Sequence, residues 1–215
     1  MTAGRGILRR QAAPITLPLL SCDDCRGMDF DVIVVGGGLV GAGLALALKS
    51  AGLQLAVVET QRPRTAVEPA DWDSRVYAIS PGGAAFLDAC GAWRGIDAAR
   101  TCQVEDMHVV GDDLASTLDF SAYKAGLREL AIIVENRELQ RVLWDELTRA
   151  PHVEIFAPAV CQELQFGADA AQLLLADGRT LRARLVVGAD GADSWVRKQA
   201  AVAVETRAYR QTAVV

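Results

Sequence analysis

Residues 32–59 read VIVVGGGLVGAGLALALKSAGLQLAVVE, and this stretch decides the fold. A run of β-branched residues leads into the motif G-x-G-x-x-G, formed by Gly36, Gly38 and Gly41. An apolar helical run follows, and a second apolar run then ends at Glu59. The pattern predicts a strand, a glycine turn, a helix and a second strand. It is typical of an α/β domain of the Rossmann-like, dinucleotide-binding class.

Each residue type in this motif has its own physical reason. Gly36 allows a tight turn out of the first strand, and Gly41 allows the helix to pack closely on the sheet. Gly38 has no Cβ, so a pyrophosphate can approach the backbone and lie on the N–H groups of the helix N-terminus. Glu59 can accept hydrogen bonds from a ribose hydroxyl. We therefore predict an adenine dinucleotide site, with NAD and FAD both open at this point.

Two other interpretations of the stretch were weighed. The apolar run at 32–48 is near the lower length limit of a membrane span, and Gly37 and Gly41 have the G-x-x-x-G spacing of packed membrane helices. Consecutive glycines make a poor helix interior, and a membrane helix would not explain the second strand and Glu59. The other alternative is a glycine-rich turn in an α/β core that binds no ligand.

Composition favours a reduced, globular protein. The chain has 215 residues, is 51% apolar and carries a net charge of −5, so nothing indicates a nucleic-acid partner. Its 5 cysteines are an odd number, which favours a cytoplasmic location without disulfides. Cys22 and Cys25 form a C-x-x-C without nearby histidines, so we predict no metal site. Residues 1–27 differ in composition and are predicted to be a disordered extension before a domain at 28–215.

Further elements are predicted after Glu59. Ser80 and Pro81 are typical of a helix start, and Asp177-Gly178 is typical of a hairpin turn. The predicted elements are a helix from Ser80-Pro81 to about Gly91, a strand at 103–110, a helix at 136–150, a strand at 153–156 and an antiparallel meander at 160–187.

A second motif follows the meander, where a buried strand leads into Asp190-Gly191 and then Ser194 and Arg197. An acid at the carboxyl end of a strand, followed by a glycine turn, fits the ligand edge of an open α/β sheet. Ser194 is placed to cap the next helix. The alternative is a strand-turn-helix joint without a ligand.

With both motifs present, the chain resembles the FAD-dependent aromatic hydroxylases, the class A flavoprotein monooxygenases, and within them most closely those of ubiquinone biosynthesis. The segments that carry the resemblance are the glycine motif through VVE, DSRVYAIS at 73–80, VENRELQRVLWDEL at 134–147 and LVVGADGADSWVRKQA at 185–200. The resemblance implies a Rossmann-like FAD-binding domain with a central parallel sheet and an antiparallel meander.

The resemblance also implies a cofactor site but no catalytic residue in this part of the chain. The implied cofactor-binding residues are Gly36, Gly38 and Gly41 at the pyrophosphate, Glu59 at the adenosine ribose, Arg75 and Arg137 near the FAD phosphates or ribityl chain, and Asp190 at the cofactor-binding edge. The simpler alternatives are an ion pair in a loop for Arg75 and a solvated position in the first turn of a helix for Arg137.

The activity implied by the resemblance is ring hydroxylation of a polyprenylated phenol or quinol precursor of ubiquinone, with NAD(P)H and O2 as co-substrates. Such a substrate implies peripheral contact with the inner membrane or with a biosynthetic complex. The later G-D-A-A-H segment of the family does not occur, so we expect the N-terminal part of a longer enzyme, with a substrate domain starting near 205–215. The alternatives are a halogenase or prenyl reductase, although W-x-W-x-I-P is absent, or a non-catalytic nucleotide-binding module.

Overall fold

The computed structural model describes residues 28–64, 72–113 and 116–210. The predicted extension at 1–27, which contains the C-x-x-C, and the end of the chain at 211–215 lie outside the described residues.

The described residues form a mixture of strands and helices, which begins with a strand, a helix and a second strand as in an α/β domain. The strands are β1 (Phe30–Val35), β2 (Leu55–Val58), β3 (Val76–Ile79), β4 (Thr101–Val104), β5 (Asp106–Val110), β6 (Thr117–Ser121), β7 (Ala131–Glu135), β8 (Val153–Phe156), β9 (Cys161–Phe166), β10 (Ala171–Leu175) and β11 (Thr180–Gly188). The helices are α1 (Leu39–Ala47), α2 (Pro81–Cys90), α3 (Ala122–Ala125), α4 (Asn136–Arg149) and α5 (Trp195–Gln199).

The central sheet has the strand order β8-β2-β1-β11-β10-β9. Strands β8, β2, β1 and β11 are parallel, and β10 and β9 continue from β11 as an antiparallel meander. This arrangement confirms the predicted fold class. Because β1 lies between β2 and β11, the glycine turn after β1 and the Asp190 turn after β11 emerge side by side at the carboxyl edge of the sheet.

The central strands are buried on both faces. Ile33 and Val34 are adjacent in β1 and point to opposite faces, yet both are fully inaccessible to solvent. Val34 packs in a core with α1 and α4, and Ile33 packs in a second core with the meander and Val196 of α5. Burying an aliphatic side chain of this size contributes about 1.5–3 kcal/mol, so β1 stabilises both cores.

A smaller sheet with the order β3-β7-β4 and a hairpin of β5 and β6 complete the described part. The prediction of a single strand at 103–110 is wrong, because this range is divided between two strands, β4 and β5. The chain changes partners at Glu105, because β4 pairs with β7 whereas β5 pairs with β6. The two strands therefore belong to different sheets.

The predicted local signals at α2 are confirmed. The Ser80 hydroxyl accepts a hydrogen bond of 3.2 Å from the Gly83 N–H, and Pro81 occupies the first helical position. Gly91 ends the helix with a φ of +89°. The Asp177-Gly178 turn, the helix near 136–150 and the cap at Ser194 are also present.

The apolar run at 32–48 divides into the end of β1, the glycine turn and the nine residues of α1. Within the described ranges, no helix combines the length and the apolar character that a membrane crossing requires.

Candidate functional site

The glycine turn after β1 is held by close backbone packing. Gly36 has a φ of +104°, and a Cβ on it would lie 2.4 Å from the Ala189 carbonyl oxygen. A Cβ on Gly41 would lie 1.9 Å from the Gly36 carbonyl oxygen. No side chain fits at either distance, so both glycines are required for α1 to approach the turn as it does.

Gly38 differs from these two glycines because it borders open space. A Cβ built on it would meet no atom within 4 Å, and its φ of −67° is accessible to any residue. Gly38 is the N-cap of α1 and has no side-chain capping bond. The N-terminus of α1 thus presents backbone N–H groups and the positive end of the helix dipole, which favour an anion.

Glu59 follows β2 and contacts the same turn. Its Oε2 accepts a hydrogen bond of 2.6 Å from the Gly37 N–H. Its Oε1 accepts from the Thr60 hydroxyl at 2.9 Å and from the Gln61 N–H at 3.2 Å. The carboxylate is half-buried and fixed in direction. Oε1 already accepts two hydrogen bonds, whereas Oε2 accepts one and keeps lone-pair capacity for a further donor such as a ribose hydroxyl.

A cavity of about 420 Å³ opens at this edge of the sheet. It brings together the ends of β1, β2 and β11, and the residues lining it include Gly36, Gly38, Glu59, Asp190 and Gly191. The structure therefore brings four of the predicted cofactor-binding residues to one site. Gly41 lies below the turn instead, where it packs against Gly36.

Asp190 lines the cavity, but its carboxylate is engaged by the protein. The Ser194 hydroxyl donates to it at 2.5 Å, and the N–H groups of Trp195 and Val196 donate at 2.6 and 3.0 Å. Burial alone would raise the pKa of the Asp190 carboxyl, but these hydrogen bonds outweigh it and hold the pKa below its ordinary value. Asp190 therefore stays ionised and fixes the start of α5 beside the cavity.

Arg75 and Arg137 meet at a second cavity of about 680 Å³. This cavity shares no lining residue with the first. The pairing of β3 with β7 brings them together, because it places Arg75, just before β3, beside Asn136, just after β7. The Asn136 N–H donates to the Arg75 carbonyl at 2.8 Å. Asp73 then accepts hydrogen bonds from the Arg75 and Arg137 backbone N–H groups, each at 3.1 Å.

Sequence reasoning missed the contact that joins α4 to the glycine turn. Arg137 and Gln140 of α4 line the second cavity, and Trp144 lies two turns beyond Arg137. The Trp144 indole N–H donates to the Gly37 carbonyl at 2.7 Å. The spacing 137, 140 and 144 on one helical face is the signal that could have indicated this contact.

Cys161 was also missed as a residue of the first cavity. Burial, and then the negative charges of Asp190 and Glu59, raise the pKa of its thiol to about 11. Cys102, by contrast, has an exposed thiol. Burial, with a smaller contribution from the acidic lining of the cavity, thus keeps the Cys161 sulfur protonated at neutral pH.

We expect Cys161 to be alkylated very slowly by iodoacetamide at pH 8, because only the thiolate reacts and a pKa about two units above the ordinary value lowers its population about 100-fold. Peptide-resolved mass spectrometry should show Cys102 labelled before Cys161, and the labelling rate of Cys161 should rise until pH is near 11. Labelling of both thiols at equal rates at pH 8 would contradict this description of the cavity.

Comparison with known proteins gives a consistent result. Residues 29–214 match the family described as FAD binding domain. The chain is 37% identical over 185 residues to ubiquinone hydroxylase UbiL of Rhodospirillum rubrum, covering 86% of this chain and 42% of the relative. It is 35% identical over 190 residues to 3-demethoxyubiquinol 3-hydroxylase of Escherichia coli, covering 85% of this chain and 46% of the relative. The chain thus spans less than half the length of these curated relatives.

Solved structures show the same fold. Pseudomonas aeruginosa PqsL in complex with 2-aminobenzoylacetate matches with a TM-score of 0.66 and 28% identity, covering 84% of this chain and 48% of that one. The p-nitrophenol 4-monooxygenase PnpA of Pseudomonas putida matches with a TM-score of 0.63 and 27% identity, covering 79% and 43%.

Proposed function

Because the chain belongs to the FAD binding domain family, we propose that it forms the FAD-binding part of a monooxygenase that hydroxylates a polyprenylated phenol or quinol in ubiquinone biosynthesis. The observation that carries the proposal is the cavity at the carboxyl edge of the sheet, where the glycine turn, Glu59 and the Asp190-Gly191 turn converge. The ubiquinone hydroxylases among the relatives support the substrate class.

The residues of this cavity fit the adenosine and pyrophosphate part of FAD. The open space above Gly38 admits a phosphate to the N-terminus of α1, and the fixed Glu59 carboxylate can accept hydrogen bonds from the ribose. We assign Gly36 and Gly41 to shaping the turn, because a Cβ on either would collide with backbone. Asp190 orients the start of α5 and holds Gly191 at the edge of the cavity.

We assign Arg75 and Arg137 to the phosphates or the ribityl chain of the same cofactor. Both arginines line the second cavity, and the Asp73 carboxylate accepts hydrogen bonds from both of their backbone N–H groups. The two cations therefore lie on the same side of the domain. Bound FAD would supply the oxygen-transfer chemistry, with NAD(P)H as reductant and O2 as oxidant. A polyprenylated substrate further implies a cytoplasmic enzyme that works at the surface of the inner membrane, alone or in a biosynthetic complex.

Gly38→Ala is the direct test of the FAD site. We expect at least about tenfold weaker FAD binding, because the new methyl group would occupy the space through which the pyrophosphate approaches. The midpoint of thermal unfolding should fall by no more than about 2–4 °C, since replacing a glycine N-cap by alanine costs about 1 kcal/mol. Flavin fluorescence titration and thermal melts measure the two effects.

Gly82→Ala is the matched control, because a Cβ there meets only the Ser80 hydroxyl at 4.0 Å and lies away from the cavity. Equal FAD affinity of the wild type and Gly38→Ala would contradict the assignment. Hydroxylation is tested separately, by substrate-stimulated NAD(P)H oxidation and mass spectrometry of a short-chain prenylated phenol. FAD binding without product is the result expected of the FAD-binding part alone, whereas product formation would show that the chain carries the hydroxylase activity itself.

A further inference from the structure

We propose that Trp144 is a positioning residue that fixes the direction of the Gly38 N–H toward bound FAD. This inference rests on the proposed FAD site, and it concerns a residue that touches the glycine turn but does not line either cavity.

The evidence is a clamp on both ends of Gly37. The Trp144 indole N–H donates to the Gly37 carbonyl at 2.7 Å, and the Gly37 N–H donates to the Glu59 carboxylate at 2.6 Å. Trp144 is only 5% exposed, so its donor is shielded from water. A Cβ on Gly37 would lie 2.8 Å from the Trp144 ring and 3.1 Å from the Glu59 Cβ, which shows how closely the two side chains enclose this residue.

The planarity of the peptide bond gives the clamp its consequence. The Gly37 carbonyl and the Gly38 N–H belong to one planar trans peptide, so they point in opposite directions. Because Trp144 holds the Gly37 carbonyl against α4, the Gly38 N–H must point away from α4. Gly38 also lines the first cavity. One indole hydrogen bond therefore orients a donor at the place where we put the pyrophosphate.

Trp144 also relates the two cavities to each other. Arg137, Gln140 and Trp144 lie along one face of α4, with the first two at the second cavity and the third at the glycine turn. The helix is rigid over these two turns, so the arginine cavity and the glycine turn are held at a fixed separation. A cofactor that reaches both cavities would therefore bind without first having to fix the position of one cavity relative to the other.

The test compares Trp144→Phe with Trp93→Phe. Phenylalanine keeps an aromatic ring but removes the indole donor, and Trp93 is a tryptophan packed against the same core in a short segment after α2. For Trp144→Phe we expect about tenfold weaker FAD binding, because the buried Gly37 carbonyl loses its donor. For the same reason we expect about tenfold faster hydrogen exchange of the Gly37 amide in ligand-free protein. For Trp93→Phe we expect neither change.

Both measurements are made at a temperature at which circular dichroism shows every variant fully folded. A purely structural role would lower the melting temperature of Trp144→Phe and leave FAD affinity and Gly37 exchange unchanged, and this result would overturn the inference. If the wild type bound no FAD, the proposed function would fail. Gly37 exchange would then decide alone: unchanged exchange in Trp144→Phe overturns the clamp, and faster exchange supports it.

Discussion

Gly41→Ala is expected to destabilise the domain by at least about 3 kcal/mol, the upper range for overpacking, and to abolish FAD binding. The new Cβ would lie 1.9 Å from the Gly36 carbonyl oxygen, which belongs to backbone and cannot rotate away. Either α1 moves off the sheet or the turn around Gly36 distorts, and both changes displace the helix N-terminus from the cavity. Chemical denaturation measures the loss of stability, and flavin titration measures the loss of binding.

Gly43→Ala provides the control within the same helix. A Cβ on Gly43 would lie 3.5 Å from the Phe86 ring, which is ordinary van der Waals contact, and alanine favours a helix by about 1 kcal/mol over glycine. We therefore expect Gly43→Ala to be neutral or stabilising, with FAD affinity retained. Similar losses in both variants would show that α1 tolerates no added methyl group, and that the Gly36–Gly41 contact has no special role.

These glycines illustrate what the sequence could predict. The turn, the helix and the two strands are determined within a few residues of each other, by β-branched runs, glycine spacing and a terminal acid. The caps at Ser80 and Ser194 are equally local, since each hydroxyl bonds a backbone N–H three residues away. These local patterns predict the fold class. They also predict the location of the first cavity, because the carboxyl ends of parallel strands meet at one edge of the sheet.

Contacts between distant segments could not be predicted in this way. Trp144 reaches Gly37 across 107 residues, and in sequence it is one more apolar position on the buried face of a helix. The division of 103–110 between two sheets depends on which strands are available to pair, which no local pattern records. The sequence predicts that Asp190 lies at the cofactor-binding edge. Only the fold shows that its carboxylate also accepts hydrogen bonds from the first backbone N–H groups of α5.

Glu135→Gln is expected to destabilise the domain by about 3 kcal/mol, because it removes the negative charge from a buried, doubly hydrogen-bonded ion pair with Arg100. Glu135 Oε1 accepts from Arg100 Nε at 2.8 Å, and Oε2 accepts from the second Arg100 nitrogen at 2.9 Å and from the Asp73 N–H at 2.7 Å. An amide has one oxygen for these donors, so its NH2 group would face another donor. For a chain of this length the melting temperature should fall by about 6–12 °C.

The matched control is Glu146→Gln on α4, the helix that follows Glu135, where the pair with Arg149 is largely exposed and contributes at most about 1 kcal/mol. Glu135→Gln combined with Arg100→Met should recover stability, because methionine replaces the buried guanidinium that lost its bidentate carboxylate partner. A double variant no more stable than Glu135→Gln would contradict the ion-pair explanation.

The effect of Glu135→Gln should also depend on pH. Burial alone would raise the pKa of the Glu135 carboxyl, but hydrogen bonds from Arg100 and the Asp73 N–H hold the pKa below its ordinary 4.5. A depressed pKa contributes stability that is fully present above pH 4.5 and is lost as pH falls through the folded-state pKa. The stability difference between wild type and Glu135→Gln should therefore be constant near neutral pH and shrink in acid.

FAD affinity should also weaken in Glu135→Gln, even where the variant remains folded. Glu135 accepts a hydrogen bond from the Asp73 N–H, and the Asp73 carboxylate accepts from the backbone N–H groups of Arg75 and Arg137.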